Sequence, residues 1–408
     1  MKDNQAKYPQ LRFKGFTDPW VQRNLGDLAE IVRGASPRPI QDPKWFDDSS
    51  EIGWLRISDV TEQNGRIHHL DQHISEAGQA KTRVLTEPHL LLSIAATVGK
   101  PLVNYVKTGV HDGFLIFMNP KFDLEFMFQW LESYRDKWSR YGQPGSQVNL
   151  NSDLVKNQSI SIPSMDEQQK LGEFFEKLDN LIAANQRKLT KLKELKQGYL
   201  QKMFPKNGAK VPELRFAGFA DAWEQHKLSD GTNKIGDGLH GTPKYSEDGE
   251  VYFVNGNNLV NGQIVIMPET KRVTSNEQSK DDKALNENTI LMSINGTIGN
   301  LAWYRGENLM LGKSAAYIEV SDFDKKFIYT YLQTRPVKDY YLNSLTGTTI
   351  KNLGLKAIRN TNICTPTIDE QVKIGVLFQN LDKTITLHQR KLEKLQELKK
   401  GYLQKMFC

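Results

Sequence analysis

Cysteine is almost absent from this chain. Of 408 residues only Cys364 and Cys408 carry a thiol, which excludes a disulfide framework and a cysteine-rich zinc site. No apolar run reaches the roughly 20 residues that span a bilayer, and the opening sequence MKDNQAKYPQ lacks the apolar core of a signal peptide. These absences predict a protein of the reducing cytoplasm with no membrane contact.

Motifs for catalysis are weak or out of context. The glycines of residues 236–241 spell a dinucleotide fingerprint, but no apolar strand precedes them and Pro243 interrupts the helix that should follow. Residues 312–314 end like a P-loop, yet Glu307 occupies the place of its first glycine. The histidines within residues 68–73 have no cysteine or helical frame for a metal. We therefore predict no catalytic residue, metal or cofactor in this chain.

Charge is the mildest of the compositional signals. The formal net charge is +6 and the pI is near 8.9, which suits nucleic-acid binding but is shared by many proteins without that role. The length is enough for two or more domains, each with its own core.

The chain contains an internal duplication. Residues 163–204 recur as 366–407 with 26 of 42 positions identical, and the lead-in Pro-x-Leu-Arg-Phe-x-Gly-Phe of residues 9–16 recurs as 212–219. Between these copies lie two much more divergent stretches, which we call head one and head two. The pattern predicts an N-terminal lead-in (1–19), head one (20–163), a first long helix (164–204), a linker with the repeated lead-in (205–222), head two (223–366) and a second long helix (367–408).

The repeated segments predict two long helices that pair. Apolar residues recur at alternating spacings of four and three, which is typical of a coiled coil, and acidic residues open each helix where the dipole favours them. Two helices with the same seam, separated by a complete head, predict an antiparallel pair with pseudo-twofold symmetry. The predicted seam, in which Asn185 and His388 either fix the register or reach solvent, comprises Leu171, Phe175, Leu178, Ile182, Asn185, Leu189, Leu192, Ile374, Phe378, Leu381, Ile385, His388, Leu392 and Leu395.

Both heads are predicted to be mixed α and β, so the fold class is α+β. Short β-branched runs predict strands at 90–94, 103–106, 114–117, 290–294 and 315–320, and helices are predicted at 124–138 and 325–341. Polar, glycine-rich loops follow the strands. Arg, Asn and Gln can read base edges, and Ser, Thr and Lys can hold phosphates, although all of them also suit ordinary polar turns. The candidate DNA-binding residues are Arg33, Ser36, Arg38, Arg56, Ser58, Lys100, Gln143, Ser146, Gln147, Asn149, His240, Thr242, Lys244, Asn255, Asn257, Asn258, Lys313, Thr348, Thr349 and Lys351.

With these features the chain resembles the DNA-specificity subunits of type I restriction–modification systems over essentially its whole length. The resemblance rests on the two variable heads, on the Leu-Arg-Phe-x-Gly-Phe lead-ins, and on helices that open Pro-x-x-Asp-Glu-Gln and end Gly-Tyr-Leu-Gln-Lys-Met-Phe. It implies two target-recognition domains that read the halves of a split, asymmetric site in double-stranded DNA, and a helix pair that spaces them.

The resemblance also implies partners. Two methyltransferase subunits would dock on the chain and restriction–translocase subunits would join them, so that S-adenosylmethionine, ATP and magnesium belong to those partners. The loops 33–38 and 143–149 of head one, and 237–244 and 346–351 of head two, would face DNA. Two alternatives stay open: a non-catalytic assembly adaptor whose heads bind protein, and a single-chain restriction enzyme with an unrecognised active site.

Overall fold

The computed structural model describes residues 8–94, 97–141, 150–206, 208–347 and 351–407. The chain divides into two compact units, one formed by residues 1–186 with 390–408 and the other by residues 187–389. Each unit therefore contains one head, the first half of the long helix that follows it, and the last part of the other long helix. Among the described residues, none of the helices combines the length and apolar character needed to span a bilayer.

Head one is built from short strands and helices. Its strands are β1 (Val21–Asn24), β2 (Glu30–Arg33), β3 (Gly53–Leu55), β4 (Arg66–Ile67), β5 (Arg83–Leu85), β6 (Leu90–Ser93), β7 (Pro101–Asn104), β8 (Thr108–Val110), β9 (Phe114–Met118) and β10 (Ser159–Ile162). Its helices are α1 (Leu25–Leu28), α2 (Ile57–Glu62), α3 (Glu76–Gln79), α4 (Leu124–Tyr134) and α5 (Ser152–Lys156), with 3-10 turns at Pro43–Trp45 and Arg135–Tyr141.

The strands of head one form a five-stranded sheet in the order β2-β9-β6-β7-β4 and a three-stranded sheet in the order β3-β8-β5. The central strand β6 is buried on both faces, because Leu90 and Leu92 pack in the cluster around α4 while Leu91 packs with the smaller sheet. Strands β1 and β10 pair antiparallel, with Val21 opposite Ile162. The two ends of head one therefore lie side by side.

Head two repeats this plan with more strands. Its strands are β11 (Glu224–Lys227), β12 (Thr232–Asp237), β13 (Val251–Val254), β14 (Leu259–Val260), β15 (Gln263–Ile264), β16 (Arg272–Val273), β17 (Thr289–Ser293), β18 (Leu301–Trp303), β19 (Leu309–Leu311), β20 (Ala315–Val320), β21 (Leu345–Thr346), β22 (Asn352–Leu353) and β23 (Asn362–Thr365). Its helices are α7 (Lys280–Ala284), α8 (Lys325–Tyr331), α9 (Arg335–Asn343) and α10 (Leu355–Arg359), with 3-10 turns at Leu228–Gly231 and Gly256–Asn258.

The sheet order of head two matches that of head one. The four-stranded sheet β12-β20-β17-β18 corresponds to β2-β9-β6-β7, and the parallel pair of β13 with β19 corresponds to that of β3 with β8. Strands β11 and β23 pair antiparallel, with Glu224 opposite Thr365, so the ends of this head are also adjacent.

Three predicted elements in the heads are corrected by the structure. The helix predicted at 124–138 is α-helical only to Tyr134, where a 3-10 turn begins. The helix predicted at 325–341 is two helices, because Thr334 is extended and Pro336 opens a new first turn. The strand predicted at 103–106 ends at Asn104, whose buried amide bonds the backbone of Glu87 and Val106 instead of continuing the ladder.

The first long helix is α6 (Met165–Lys202), and the second is α11 (Ile368–Met406). Each begins and ends within one to two residues of the bounds predicted from sequence. In the first unit the start of α6 runs antiparallel to the end of α11. The rings of Phe175 and Phe407 stack at 5.6 Å, and four residues further along α6 the Asp179 carboxylate meets Lys399 Nζ at 2.5 Å. The partner residue on α11 moves backwards as α6 advances, which defines the antiparallel direction.

The second unit repeats these contacts with the copies exchanged. Phe204 packs against Phe378 at 5.8 Å, and Lys196 Nζ meets the Asp382 carboxylate at 2.5 Å. None of the predicted seam residues is exposed, and Phe175, Ile374 and Phe378 are at most 1 % exposed. The predicted fold class, two mixed α/β heads joined by two long helices that pair antiparallel, is confirmed.

The lead-ins fasten each unit by the same pair of bonds. Arg12 binds the Glu167 carboxylate with two hydrogen bonds of 2.7 Å, and Arg215 binds Glu370 in the same way at 2.8 and 2.7 Å. The Leu11 amide donates to the Lys405 carbonyl at 2.8 Å, which satisfies an orphan carbonyl of the last helical turn. Each lead-in thus joins the beginning of one long helix to the end of the other.

We expect Arg12→Ala to destabilise the first unit strongly. Glu167 is 1 % exposed, and removal of its guanidinium partner leaves a buried carboxylate unpaired, which costs about 3–5 kcal/mol. Calorimetry of the full chain should show one transition at lower temperature, and Arg215→Ala should lower the other. The double variant R12A/E167L should recover much of the loss, and the exposed Lys14→Ala serves as control. An unchanged melting profile for Arg12→Ala would contradict this role for the ion pair.

Candidate nucleic-acid interface

A turn between β8 and β9 organises the polar loops of head one. The Gly34 amide donates to the Phe114 carbonyl at 2.9 Å, the Ala35 amide to the Val110 carbonyl at 3.0 Å, and the Ile94 amide to the Gly113 carbonyl at 2.9 Å. A Cβ at Gly34 would lie 2.2 Å from the His111 carbonyl oxygen, so only glycine permits this approach. Residues 110–114, which we call the head-one hub, therefore hold the loops that follow β2 and β6.

The Asp112 carboxylate lies at the centre of this hub. It accepts hydrogen bonds from Ser36 Oγ at 2.9 Å and from an amino group of Arg38 at 2.6 Å. The Asp112 amide donates to Ser36 Oγ, and its carbonyl accepts from Arg33 Nε at 2.6 Å. Three predicted DNA-binding residues, Arg33, Ser36 and Arg38, are thus brought together on one acidic residue.

Local charges keep Asp112 ionised. Partial burial acts to raise its pKa, but the Ser36 hydrogen bond and the nearby His111, Arg38 and Arg33 outweigh burial and hold the pKa below its usual value. Arg38 itself is 73 % exposed, so most of its guanidinium faces solvent. The hub therefore holds the exposed guanidinium groups of Arg33 and Arg38 against the ionised Asp112.

The other candidates of head one lie in different settings. Arg56 binds the buried Asp59 at 2.9 Å at the start of α2, and Ser58, between them in sequence, is exposed. Lys100 is partly buried, and that burial lowers its pKa despite the nearby Glu132. The candidates Gln143, Ser146, Gln147 and Asn149 lie outside the described residues.

Head two has the same hub, formed by residues 311–315. The Gly238 amide donates to the Ala315 carbonyl at 3.1 Å, the Leu239 amide to Leu311 at 2.8 Å, and the Ile294 amide to Ser314 at 2.9 Å. These bonds repeat those of head one and fix the structural alignment of the two loops. A Cβ at Gly238 would lie 2.1 Å from the Leu311 carbonyl oxygen, as at Gly34.

Two more predicted loops reach the head-two hub. The Asn255 side chain accepts from Ser314 Oγ at 2.9 Å, and the Gly256 amide donates to the same hydroxyl at 2.9 Å. The Leu353 amide donates to the Ile294 carbonyl at 2.9 Å, which brings the β21–β22 hairpin alongside. The predicted loops of head two therefore converge at residues 238–239, 255–256 and 313–314, and the described part of the β21–β22 hairpin lies beside them.

The individual candidates of head two differ in accessibility. His240 bonds Asp237 at 2.7 Å and is 74 % exposed. Asn258 is 4 % exposed, and its amide donates to the Val265 carbonyl at 2.9 Å, so it serves the fold of its own turn. The exposed candidates are Thr242, Lys244, Asn257, Lys313 and Lys351, whereas Thr348 and Thr349 lie outside the described residues.

The sequence segments that resemble catalytic motifs form ordinary turns and loops. Residues 312–314 form a turn between two strands with no helix behind it, and residues 236–241 end a strand and enter a loop. His68 stacks on Tyr105 at 4.5 Å, while His69 bonds Asp71. In the part of the chain that the structure describes, no group of three His, Cys, Asp or Glu residues is arranged to hold a metal ion.

Sequence reasoning missed Asp112 and Arg83. Arg83 Nε donates to the Arg33 carbonyl at 2.8 Å and adds a third exposed arginine to the hub. Asp112-Gly113 between two apolar runs is a turn signal that could have marked the hub. Arg83 carries no comparable signal, because its place depends on the pairing of β5 with β8.

Comparison with known proteins agrees with this architecture. The profile of the type I restriction modification DNA specificity domain matches residues 17–194 and again 221–397. The type I restriction enzyme MjaX specificity subunit of Methanocaldococcus jannaschii is 22 % identical over 94 % of this chain and 91 % of its own length.

Two solved structures share the fold. The type I restriction–modification S subunit from M. genitalium superposes with a TM-score of 0.66 at 14 % identity, covering 98 % of this chain and 99 % of the other. A chain from a study of complex assembly and conformational transition of the type I restriction–modification system gives 0.51 at 17 % identity, covering 96 % and 98 %. Because the family profile matches both repeats, and most of the chain with them, this protein belongs to the family of type I restriction–modification DNA specificity subunits.

Proposed function

We propose that this chain reads a bipartite, asymmetric DNA site, with head one reading one half and head two the other. The observation that carries the proposal is that equivalent hubs hold different side chains. Head one offers Arg33, Ser36 and Arg38 on its hub, whereas head two offers Asp237, His240 and Thr242 at the corresponding positions. Different donors and acceptors on the same frame select different bases.

The converging loops have the chemistry that such reading needs. Exposed arginines can bind guanine in bidentate fashion, and amides such as that of Asn257 can bind adenine. Exposed lysines beside them supply phosphate contacts, which set the position of the protein on the duplex. Because both hubs are braced by backbone hydrogen bonds, these side chains start from ordered loops, which lowers the entropic cost of binding.

We further propose that the chain itself is non-catalytic and scaffolds two methyltransferase subunits and the restriction–translocase subunits in the cytoplasm. S-adenosylmethionine, ATP and magnesium would be bound by those partners. The duplicated frame supports two copies of the methyltransferase, since each unit has the same lead-in, helix start and helix end. Family membership supports the kind of partner.

The purified chain alone should bind DNA weakly, with an affinity that falls steeply as salt rises, and should neither methylate nor cleave it. Phosphate contacts release counterions, and about six of them reduce affinity roughly thousandfold between 50 and 200 mM salt. Addition of the proposed methyltransferase partner should tighten binding and give methylation at one bipartite site. Methylation mapping and fluorescence anisotropy measure both effects.

Two outcomes would contradict the proposal. Methyl transfer by the purified single chain would show that catalysis lies here. Affinity for DNA that does not change with salt, together with capture of a protein by the isolated heads, would favour an adaptor with protein-binding heads.

A further inference from the structure

Charges at equivalent positions of the two hubs are reversed. By the shared backbone hydrogen bonds, Arg33 of head one is equivalent to Asp237 of head two, each at the end of the first strand bound to its hub. Asp112 is equivalent to Lys313 in the hub turn. Head one therefore has a cationic side chain on the strand and a carboxylate in the turn. Head two has the carboxylate on the strand and the cationic side chain in the turn. The fold is the same, so the reversal is a property of the surfaces that the hubs present.

The carboxylate of Asp112 is unexpected in a turn that is proposed to face DNA. A carboxylate near phosphates is repelled unless cations compensate it, and the Asp112 side chain is only 25 % exposed. Its two oxygens are occupied by Ser36 and Arg38, and its carbonyl by Arg33. Arg38 uses one amino group on Asp112, which leaves most of its five N–H donors for another ligand.

Head two holds its turn differently. Gly312 lies so close to Asn255 that a Cβ there would be 2.3 Å from Asn255 Oδ1, so the backbone next to Lys313 is tightly packed. The Lys313 side chain is exposed and has no hydrogen bond or ion pair with any residue that the structure describes. Asp237 is occupied by His240 at 2.7 Å. The turn cation is therefore free to meet an external anion or acceptor.

We propose that Asp112 is a positioning residue that fixes Arg38 and Ser36 for base contact, and that Lys313, at the same position of head two, contacts DNA directly. The two hubs then read DNA by opposite routes: head one from the loop after β2, braced by the turn, and head two from the turn itself. This inference rests on the proposed function, and it names the residues through which each half-site is read.

The test uses the full chain with its methyltransferase partner and a library of sites in which each base is varied in turn. Asp112→Ala should lower discrimination at one base pair of one half-site by about 5- to 150-fold, the range that a bidentate base contact provides. Affinity for non-specific DNA should stay equal or rise, because a negative charge is lost. Asp112→Asn, which can keep the Ser36 bond but loses the ion pair, should be intermediate.

Lys313→Ala should leave discrimination at the half-site of head one unchanged. If Lys313 contacts a phosphate, affinity should fall for all sequences and the slope of log K against log salt should decrease by about 0.9. If it contacts a base, discrimination at that position should fall instead, and both results support direct contact. Lys338→Ala, at an exposed lysine on α9 outside the predicted DNA-facing loops, is the control.

A stable Asp112→Ala variant with unchanged discrimination would overturn the positioning role, and a Lys313→Ala variant with unchanged affinity, slope and discrimination would overturn the contact. A uniform loss of activity with a lower melting temperature would show a purely structural role for Asp112. Failure of the proposed function would be distinguishable, because then the unaltered chain with its partner would show no preference between sites.

Discussion

A half-chain of residues 1–207 is expected to form a homodimer that reads a palindromic site. The first unit is completed by the end of α11, where Lys399 meets Asp179, Tyr402 meets Phe174 at 5.1 Å, and Phe407 stacks on Phe175. The corresponding residues at the end of α6 are identical: Lys196, Tyr199 and Phe204. A second half-chain can therefore supply every one of these contacts.

Such a dimer has a true twofold axis and two identical heads, so its target must consist of two inverted copies of the half-site of head one. Light scattering should give twice the mass of the half-chain, and methylation mapping with the methyltransferase partner should give the palindrome. Asn185, which is 7 % exposed and bonds the Leu181 carbonyl, would then lie in a seam without His388. This change is expected to weaken the dimer without preventing it.

A point variant sharpens this test. Phe204→Ala in the half-chain removes a side chain that is 4 % exposed in the full protein, at a cost of about 3–5 kcal/mol per site. The cost occurs twice in a dimer, so the dissociation constant should rise by several powers of ten. Leu181→Ala, at a residue that is 52 % exposed, should leave the dimer intact. A half-chain that stays monomeric, or one that still methylates the original asymmetric site, would show that the two halves are not interchangeable.

The long helices could be predicted from sequence because their signal is local and repeated. The alternation of apolar residues places Leu171, Phe175 and Leu178 on one face whatever the rest of the chain does. The duplicated ends then supplied the partner and its direction. The sheet order could not be predicted in this way, because the pairing of β2 with β9 joins Glu30 to Met118 across most of head one.

The candidate site was predictable as loops but not as individual contacts. Arg33, Ser36 and Arg38 were recognised from residue type, yet the residue that joins them, Asp112, is more than 70 positions away along the chain. Asn258 shows the opposite case. An asparagine in a polar turn can read adenine or bond its own backbone, and only its burial and its bond to Val265 distinguish the two.

Exchange of a whole head is expected to change one half of the target and leave the other. We consider a full chain in which residues 224–365 are replaced by a copy of residues 21–162. The junctions are suitable, because the first and last strands of each head pair with each other, Val21 with Ile162 and Glu224 with Thr365. The transplanted segment therefore begins and ends at the same place on the frame.

The grafted head should also find its supports on α11. In the first unit Gln168 Oε1 accepts from the Asp123 amide at 3.0 Å, and Arg66 meets Asp179 at 3.3 Å. The equivalent positions of α11 carry the same residue types, Gln371 and Asp382, and Gln371 already accepts from the Asp324 amide of head two at 3.0 Å. The graft therefore changes the loops that we propose face DNA, while the contacts to the helix are retained.

Because both heads of the grafted chain are then identical, its methylated site should be the same palindrome that the half-chain dimer reads, reached by a different assembly. Methylation mapping with the methyltransferase partner measures this, and the reciprocal graft, residues 224–365 in place of 21–162, should give the palindrome of the other half-site. Specificity that follows neither graft would place the reading of bases outside the heads. A grafted chain that alters both halves at once would show that the heads do not read independently, since the head-one copy at residues 21–162 is unchanged in it.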